Sequence, residues 1–292
     1  MRFSIRDGPG IRTTVFLKGC RLRCRWCHNP EGISPDPEIV YRQGRCLACG
    51  ACARACPRQA ISLADGRIVR IAERCRLCGA CVEACPSRAI EKIGAVMTVS
   101  EVMAEVAKDR PFYEQSGGGV TISGGEPLCQ PDFLAPLLRA CKADGIHTAL
   151  DTSGAGPRDL IDRIRRDVDL FLYDLKLIDA QRHLREVGLS NHEALDNLEM
   201  LVDGGHEVLV RIPIVPGCND DEENIRAIGA FLARLAAPPA IELLAYHKAG
   251  EEKYALLGAT EQVPSMEPPD RERLAETAGI LRAYGLNTEI GA

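Results

Sequence analysis

One twelve-residue string occurs twice in this chain. Cys46-x2-Cys49-x2-Cys52-x3-Cys56-Pro57 returns as Cys75-x2-Cys78-x2-Cys81-x3-Cys85-Pro86, offset by 29 residues, and the tails agree too, PRQAI and then PSRAI. Two copies make one small unit, not a solenoid. The chain has 14 cysteines, and 11 of them lie between residues 20 and 85. The start, MRFSIRDGPG, has no apolar leader, and no later apolar run reaches spanning length, so a cytoplasmic protein without a membrane segment is expected. In that compartment clustered cysteines point to metal, not disulfides. The 292 residues, 46% hydrophobic, suffice for a large α/β domain carrying a small one. A net charge of -5 argues against a nucleic-acid partner.

The spacing C-x2-C-x2-C-x3-C-P matches the bacterial two-cluster ferredoxin run, in which the fourth cysteine serves the other cluster. Cys46, Cys49, Cys52 and Cys85 are then expected to hold one [4Fe–4S] cluster, and Cys75, Cys78, Cys81 and Cys56 a second. Zinc is the competing metal, but it favours C-x2-C pairs separated by a longer gap. Residues 42–92 carry ten Lys/Arg and four Asp/Glu, formally +6, which leaves -11 for the rest of the chain (-5 minus 6). Either these cations offset anionic clusters, or they form a docking face for an acidic electron donor, flavodoxin or ferredoxin.

After about residue 96 short apolar runs alternate with amphipathic stretches. The runs are VTIS (120–123), HTALD (147–151), DLFLYDLK (169–176), EVLVRIPIV (207–215), AIELLAY (240–246) and LNTEI (286–290). Helical patterns fall near 99–109, 131–143, 158–166, 192–203, 221–236 and 270–284. TTVFLK (13–18) supplies an earlier strand. Near-continuous apolar strands alternating with helices predict a parallel sheet of about six strands covered on both faces. The duplicated cysteine unit interrupts that series after its first strand.

The stretch GCRLRCRWCHNPEG (19–32) holds three more cysteines, Cys20, Cys24 and Cys27. Residues 24–28 also read Cys-x-x-Cys-His, a c-type haem string. Haem of that type is attached outside the cytoplasm, and the string leaves Cys20 unexplained. Cys20-x3-Cys24-x2-Cys27 instead gives three thiolates for a cubane cluster and leaves one iron open to a substrate or cofactor.

Cys20-x3-Cys24-x2-Cys27 at the end of a first strand resembles the radical S-adenosylmethionine (radical SAM) signature. DGPGIRT (7–13), KGC (18–20), WCHNPEG (26–32), GGGVTISGGEP (117–127), DTSG (151–154), YDLK (173–176), RIPIVPG (211–217) and YHKAGEEKY (246–254) together resemble the glycyl-radical-enzyme activases, the pyruvate formate-lyase activating enzyme group. The cysteine-rich insert is similar to that of the subset activating decarboxylases, dehydratases and lyases.

The resemblance implies an α/β fold, a partial (β/α)6 barrel formed by residues 1–30 and 95–292, with a ferredoxin-like module at 31–94. It also implies a radical SAM oxidoreductase with three [4Fe–4S] clusters. One-electron cleavage of S-adenosylmethionine to methionine and a 5′-deoxyadenosyl radical would be followed by abstraction of a hydrogen from a backbone glycine of a partner glycyl radical enzyme. A monomer is expected.

Cys20, Cys24 and Cys27 become the catalytic cluster ligands. Gly124, Gly125 and Glu126 would grip the methionine amino group, where GGEP alone reads as an ordinary strand-to-helix turn. Asp151, Asp174 and Lys176 are charges in or ending apolar strands, so they face the barrel mouth or pair with one another. The resemblance gives Asp151, Thr152, Asp174 and the Leu172 carbonyl a monovalent cation beside the cofactor carboxylate. Arg211 interrupts an apolar strand and needs a buried anion, for which the cofactor's carboxylate or ribose region would serve. Asn29 matches a cofactor-contacting position. His247 lies near the adenosine or is structural. Asp7 would hold the partner's glycine loop. Cys129, Cys141 and Cys218 lack partners at ligand spacing and read as buried small hydrophobes.

Relatives usually carry an edge strand before DGPGIR, where this chain has six residues. Two other readings are a radical SAM enzyme acting on a small molecule and a ferredoxin-type electron-transfer protein. DGPGIRT and GGGVTISGGEP count against the first. Cys20, Cys24 and Cys27 with GGEP count against the second.

Overall fold

The computed structural model describes residues 1–259 and 266–291. Strand β1 (Arg12–Leu17) runs into the loop that carries Cys20, Cys24 and Cys27. The chain then leaves the main sheet. It forms β2 (Glu38–Tyr41), α1 (Ala51–Ala55), β3 (Ile61–Ala64), β4 (Arg67–Arg70), α2 (Ala80–Glu83) and β5 (Ile90–Ile93). Next come α3 (Val99–Val106), α4 (Arg110–Ser116) and β6 (Gly119–Gly124), which pairs parallel with β1. The excursion therefore departs and returns at one edge of the sheet.

From β6 onward strand and helix alternate. The series is α5 (Pro131–Ala143), β7 (His147–Thr152), α6 (Arg158–Ile164), β8 (Leu170–Asp174), α7 (Ala180–Val187), α8 (His192–Asp203), β9 (Val208–Ile214), α9 (Glu222–Ala233), β10 (Ala240–Ala245), α10 (Glu251–Leu257), α11 (Arg271–Arg282) and β11 (Thr288–Ile290). The sheet order is β1-β6-β7-β8-β9-β10-β11, with all pairs parallel. Seven strands are present where about six were expected.

Apolar runs become strands because both faces of the sheet are covered. Val120, Ile122, Leu150, Phe171, Val210 and Ile212 are fully buried, and Leu134, Leu138, Ile161, Leu198, Ile228 and Ala278 pack on them from the helices. Helix starts follow local capping. Thr98 and Glu101 form a reciprocal capping box at α3, and Asp221 and Asp270 accept the N–H of Asn224 and Arg273 at α9 and α11. The pattern at 99–109 becomes α3 and a 3-10 turn, and α4, α7 and α10 were not expected. Helix α7 buries only His183 and Val187, too thin a stripe to show in the sequence.

The excursion has its own apolar cluster of Ile39, Cys52, Ile61, Cys81 and Ile90. Its pairs are antiparallel, β2 with β5 and β3 with β4. Asp65 and Gly66 both have positive φ and close the β3–β4 hairpin, the conformation a two-residue type I′ turn requires. The duplication survives in the backbone. Ala48 and Leu77, Gly50 and Gly79, and Gln59 and Arg88 are all left-handed, each pair 29 residues apart.

The first residues lie antiparallel along β1. Thr14 N–H donates to Met1 C=O at 2.8 Å, and Ser4 and Arg12 exchange backbone bonds at 2.9 and 2.8 Å. No helix among the described residues is long and apolar enough to cross a membrane.

Candidate active site

A cavity of about 980 Å³ opens where the strands of the main sheet end. Its lining includes Asp7, Cys20, Cys24, Cys27, Asn29, Gly124, Gly125, Glu126, Asp151, Thr152, Asp174, Lys176, Arg211 and His247. Every residue whose side chain or turn was singled out for the cofactor or for the partner's glycine therefore lines one space. They come from the ends of β1, β6, β7, β8 and β10 and from the level of β9 where Arg211 registers with Asp174. Leu172 does not line it and packs with Ala149 and Leu170.

The three thiols sit on a loop between β1 and a 3-10 turn at Pro30–Gly32. Burial pushes Cys20 up to about 12 and Cys24 to about 11, and it raises Cys27 as well. Such thiols stay protonated at neutral pH unless a metal takes the place of the proton. The loop is clamped against the GGEP turn by backbone bonds, Gly125 N–H to Leu17 C=O and Glu126 N–H to Gly19 C=O, both 2.8 Å. A Cβ on Gly125 would stand 2.3 Å from Gly32 O and 2.4 Å from Gly19 O. Glycine is required there by close backbone approach.

Glu126 is 1% exposed. Its carboxylate accepts from Thr152 Oγ1 at 2.6 Å, Ser153 Oγ at 2.6 Å, Ser153 N–H at 2.9 Å and Leu128 N–H at 3.2 Å. Burial raises its pKa, and these donors oppose the rise. It ties the GGEP turn to the DTSG turn.

Charge is balanced inside the cavity. Burial and the neighbouring Asp174 push Asp151 up to about 6, while Arg211 and Ser123 Oγ (2.6 Å) hold it down. Lys176 Nζ lies 2.7 Å from Asp174 Oδ2. Burial works against the Lys176 ammonium, but Asp174 and Cys24 outweigh it and keep its pKa above the usual lysine value. Arg211 Nε meets Glu242 Oε2 at 3.0 Å, and its Nη1 lies 3.9 Å from Asp151 Oδ1. The anions that face Arg211 thus come from the chain itself, the half-buried Asp151 and Glu242. The sequence hinted at Glu242, a charge inside AIELLAY.

His28, from the haem-like string, also lines the cavity, and so do Tyr246 and Lys253, which were not singled out. The His28 ring stacks on His247 at 4.2 Å and on Tyr246 at 5.2 Å between centroids. His28 Nε2 is buried without a partner. Burial and His247 push His28 down to about 4, so the ring is neutral. Lys253 Nζ donates to Asn29 Oδ1 and Glu31 Oε1, both at 2.7 Å, and Tyr254 Oη donates to the Cys27 carbonyl at 3.1 Å. Helix α10 thereby braces the cysteine loop. Asp7 accepts from Thr14 Oγ1, and its carbonyl accepts from Thr121 Oγ1 at 2.6 Å. Cys141 and Cys218 are buried as expected, whereas Cys129 is half-buried, because it lies beside the Gly19 turn and not in the core.

In the excursion, Cys75, Cys78, Cys81 and Cys56 line one small cavity of about 20 Å³. Cys56 belongs to the first copy of the string and the other three to the second. Cys52 lies within electrostatic reach of Cys46 and of Cys85, from the second copy. Ala60 N–H and Ala89 N–H each donate to a thiol, Cys56 and Cys85, at 3.2 Å. Burial raises both thiols, and these and neighbouring N–H groups outweigh it and lower them. Among the described residues no group of three or more His, Cys, Asp or Glu is arranged to hold a single metal ion.

A model of the radical SAM superfamily matches residues 14–227. The chain is 43% identical over 291 residues to the trans-4-hydroxy-L-proline dehydratase activating enzyme of Clostridioides difficile, covering 99% of this chain and 96% of the relative. It is 44% identical over 300 residues to the benzylsuccinate synthase activating enzyme of Thauera aromatica, covering 99% of this chain and 90% of the relative. A solved domain of a pyruvate-formate lyase-activating enzyme from Bacteroides vulgatus superposes with a TM-score of 0.52 at 35% identity, over 60% of this chain and 99% of that one. Matched over this length and at this identity, the chain belongs to the radical SAM superfamily, among the activating enzymes of glycyl radical enzymes.

Proposed function

We propose that the cavity at the strand ends binds a [4Fe–4S] cluster on Cys20, Cys24 and Cys27, with S-adenosylmethionine at its open iron, and serves a partner enzyme's glycine loop. The observation that carries this is the convergence of the three cysteines, the GGEP and DTSG turns, Asp7 and His247 on one cavity of about 980 Å³. The residues suit these groups: three half-buried thiols, a glycine turn that allows backbone approach, and a buried nitrogen without a partner on His28. When bound, the pair supplies one-electron cleavage of a sulfonium and a radical able to abstract hydrogen.

The chain's own residues do the positioning. Gly124 and Gly125 let backbone groups approach the methionine amino group, and Glu126 locks that turn to the DTSG turn. Lys176 offsets negative charge beside Cys24. Asp151 and Asp174, with Thr152, offer oxygens to a monovalent cation, and Arg211 lies between Asp151 and Glu242. Asn29, held by Lys253, and His247, stacked on His28, line the adenosine side. Asp7, fixed by Thr14, accepts from a backbone N–H of the partner's glycine loop.

Residues 31–94 form a ferredoxin-like module within a barrel of residues 1–30 and 95–292. Its two clusters are held crosswise, one by Cys46, Cys49, Cys52 and Cys85 and one by Cys75, Cys78, Cys81 and Cys56. Support comes from Cys56 joining the three cysteines of the second copy around one cavity, and from left-handed residues repeating between the copies. Cys49 and Cys78 are exposed. Arg54, Arg58, Arg67, Arg74, Arg76 and Arg88 are exposed on the same module, charges that suit an acidic flavodoxin or ferredoxin.

The test uses anaerobically reconstituted protein with a reductant, S-adenosylmethionine and a candidate glycyl radical enzyme. A glycyl radical signal on that enzyme, with deoxyadenosine formed, is expected. Deoxyadenosine without a radical on any such enzyme points instead to a small-molecule substrate.

A further inference from the structure

Arg12, the first residue of β1, is fully buried. Burying a guanidinium is costly, and a buried one is usually set against a carboxylate. Among the described residues, this one bonds instead to a hydroxyl, to carbonyls and to an imidazole. Nε donates to Thr121 Oγ1 at 2.7 Å, Nη1 to the Pro9 carbonyl at 3.1 Å and Nη2 to the Val120 carbonyl at 2.7 Å. The carbonyl and Nδ1 of His147 each lie 3.3 Å from Nη2. Burial pushes the pKa of Arg12 down to about 10 and Asp7 opposes that fall, so the cation persists at neutral pH.

These bonds converge on one loop. Asp7, Gly8, Pro9 and Gly10 connect the first residues of the chain to β1. Gly8 and Gly10 both have positive φ, so the loop has little stiffness of its own. Three strands hold its carbonyls. Pro9 C=O accepts from Arg12 on β1. Asp7 C=O accepts at 2.6 Å from Thr121 Oγ1 on β6, the same hydroxyl that takes the Arg12 Nε–H. Arg6 C=O accepts from Arg211 Nη2 on β9. A Cβ on Gly8 would stand 3.3 Å from both Cδ and Nε of Arg12, so the arginine stem packs against the loop.

We infer that Arg12 and Thr121 fix the backbone at Asp7 and so aim its carboxylate for the partner's glycine loop. This rests on the reading above that Asp7 takes that loop. Asp7 lines the large cavity, and Arg12 and Thr121 are not among its lining residues. They are therefore positioning residues. A fork of donors in one plane reaches several acceptors at once, which a lysine ammonium does not reproduce. A loop already fixed loses less freedom when a partner docks, so the effect falls on partner affinity.

The experiment compares full-length, cluster-reconstituted Arg12→Lys, Thr121→Val, Thr121→Ser and Asp7→Ala with wild type. Deoxyadenosine is measured without partner. The rate of glycyl radical formation is then followed against the concentration of a candidate glycyl radical enzyme. Arg12→Lys should raise the half-saturating concentration about tenfold and Thr121→Val about threefold, with maximal rate and partner-free deoxyadenosine within about twofold of wild type. Thr121→Ser, which restores the hydroxyl, should behave as wild type. Where Arg12→Lys fails to hold its clusters, the two Thr121 variants decide by the same readings. Unmoved half-saturation in Thr121→Val and Arg12→Lys, while Asp7→Ala raises it, overturns the inference alone. A fall of partner-free deoxyadenosine in Thr121→Val as large as its loss of glycyl radical marks a general folding role and overturns it too. No glycyl radical with wild type, or unmoved half-saturation in Asp7→Ala, overturns the glycine-loop reading and the inference together.

Discussion

Asp109 is 1% exposed, yet it is held in its charged form by partners from the start of the chain. Arg2 bonds it through Nε at 2.9 and 2.8 Å, and Thr13 Oγ1 donates at 2.6 Å. Arg2 is the main cause of its lowered pKa, with burial opposing and Thr13 assisting. A carboxyl whose folded pKa lies below the unfolded value contributes stability above that value and loses it as pH falls through the folded pKa. Asp109→Asn should therefore cost about 1–2 kcal/mol at pH 7, discounted because half-exposed Arg2 is screened by water. The difference from wild type should shrink below about pH 4. Denaturant melts at pH 7 and pH 3.5 check both. A difference that grows in acid would reverse the sign. The same residue scale explains Arg211: an arginine in an apolar strand signals a buried anion, but nothing local says which one. Register supplies it, since Arg211 pairs directly with Glu242 across β9 and β10.

At the scale of elements, the site depends on turns that touch each other. The cysteine loop, the GGEP turn and the DTSG turn come from β1, β6 and β7, adjacent in the sheet. Gly125 has no room for a side chain between Gly19 and Gly32. Gly125→Ala should separate the two loops and cost about 1–3 kcal/mol, as overpacking does. It should also weaken S-adenosylmethionine binding at least tenfold, measured calorimetrically on reconstituted protein. Unchanged binding would mean that the turns do not form the cofactor seat. The strands and most helices were legible because burial on both faces writes apolar runs, and parallel connection writes an amphipathic helix between them. The role of α10 was not. Lys253 and Tyr254 reach the cysteine loop across more than 220 residues of chain, and no periodicity encodes that contact.

At the scale of the whole molecule, the chain inserts a cysteine-rich unit at the edge of a seven-stranded parallel sheet without breaking the sheet order. The candidate ligand cysteines stand out in sequence because a cluster would demand such close spacing, and the 29-residue duplication makes the pattern hard to mistake. The stacked rings of His28, Tyr246 and His247 are not legible, since only the fold brings the end of β10 over the cysteine loop. Iron analysis tests the whole plan: about twelve irons per chain are expected, and about eight should remain in Cys24→Ala, which loses only the barrel cluster. Wild-type iron near four would remove the module's clusters from the account.

The most direct test of the central claim combines two readouts in one reaction. Wild-type protein and Cys24→Ala, both reduced, are each incubated with S-adenosylmethionine and a candidate glycyl radical enzyme. The account predicts a glycyl radical signal and deoxyadenosine with wild type and neither with Cys24→Ala. Undiminished deoxyadenosine from Cys24→Ala would contradict it.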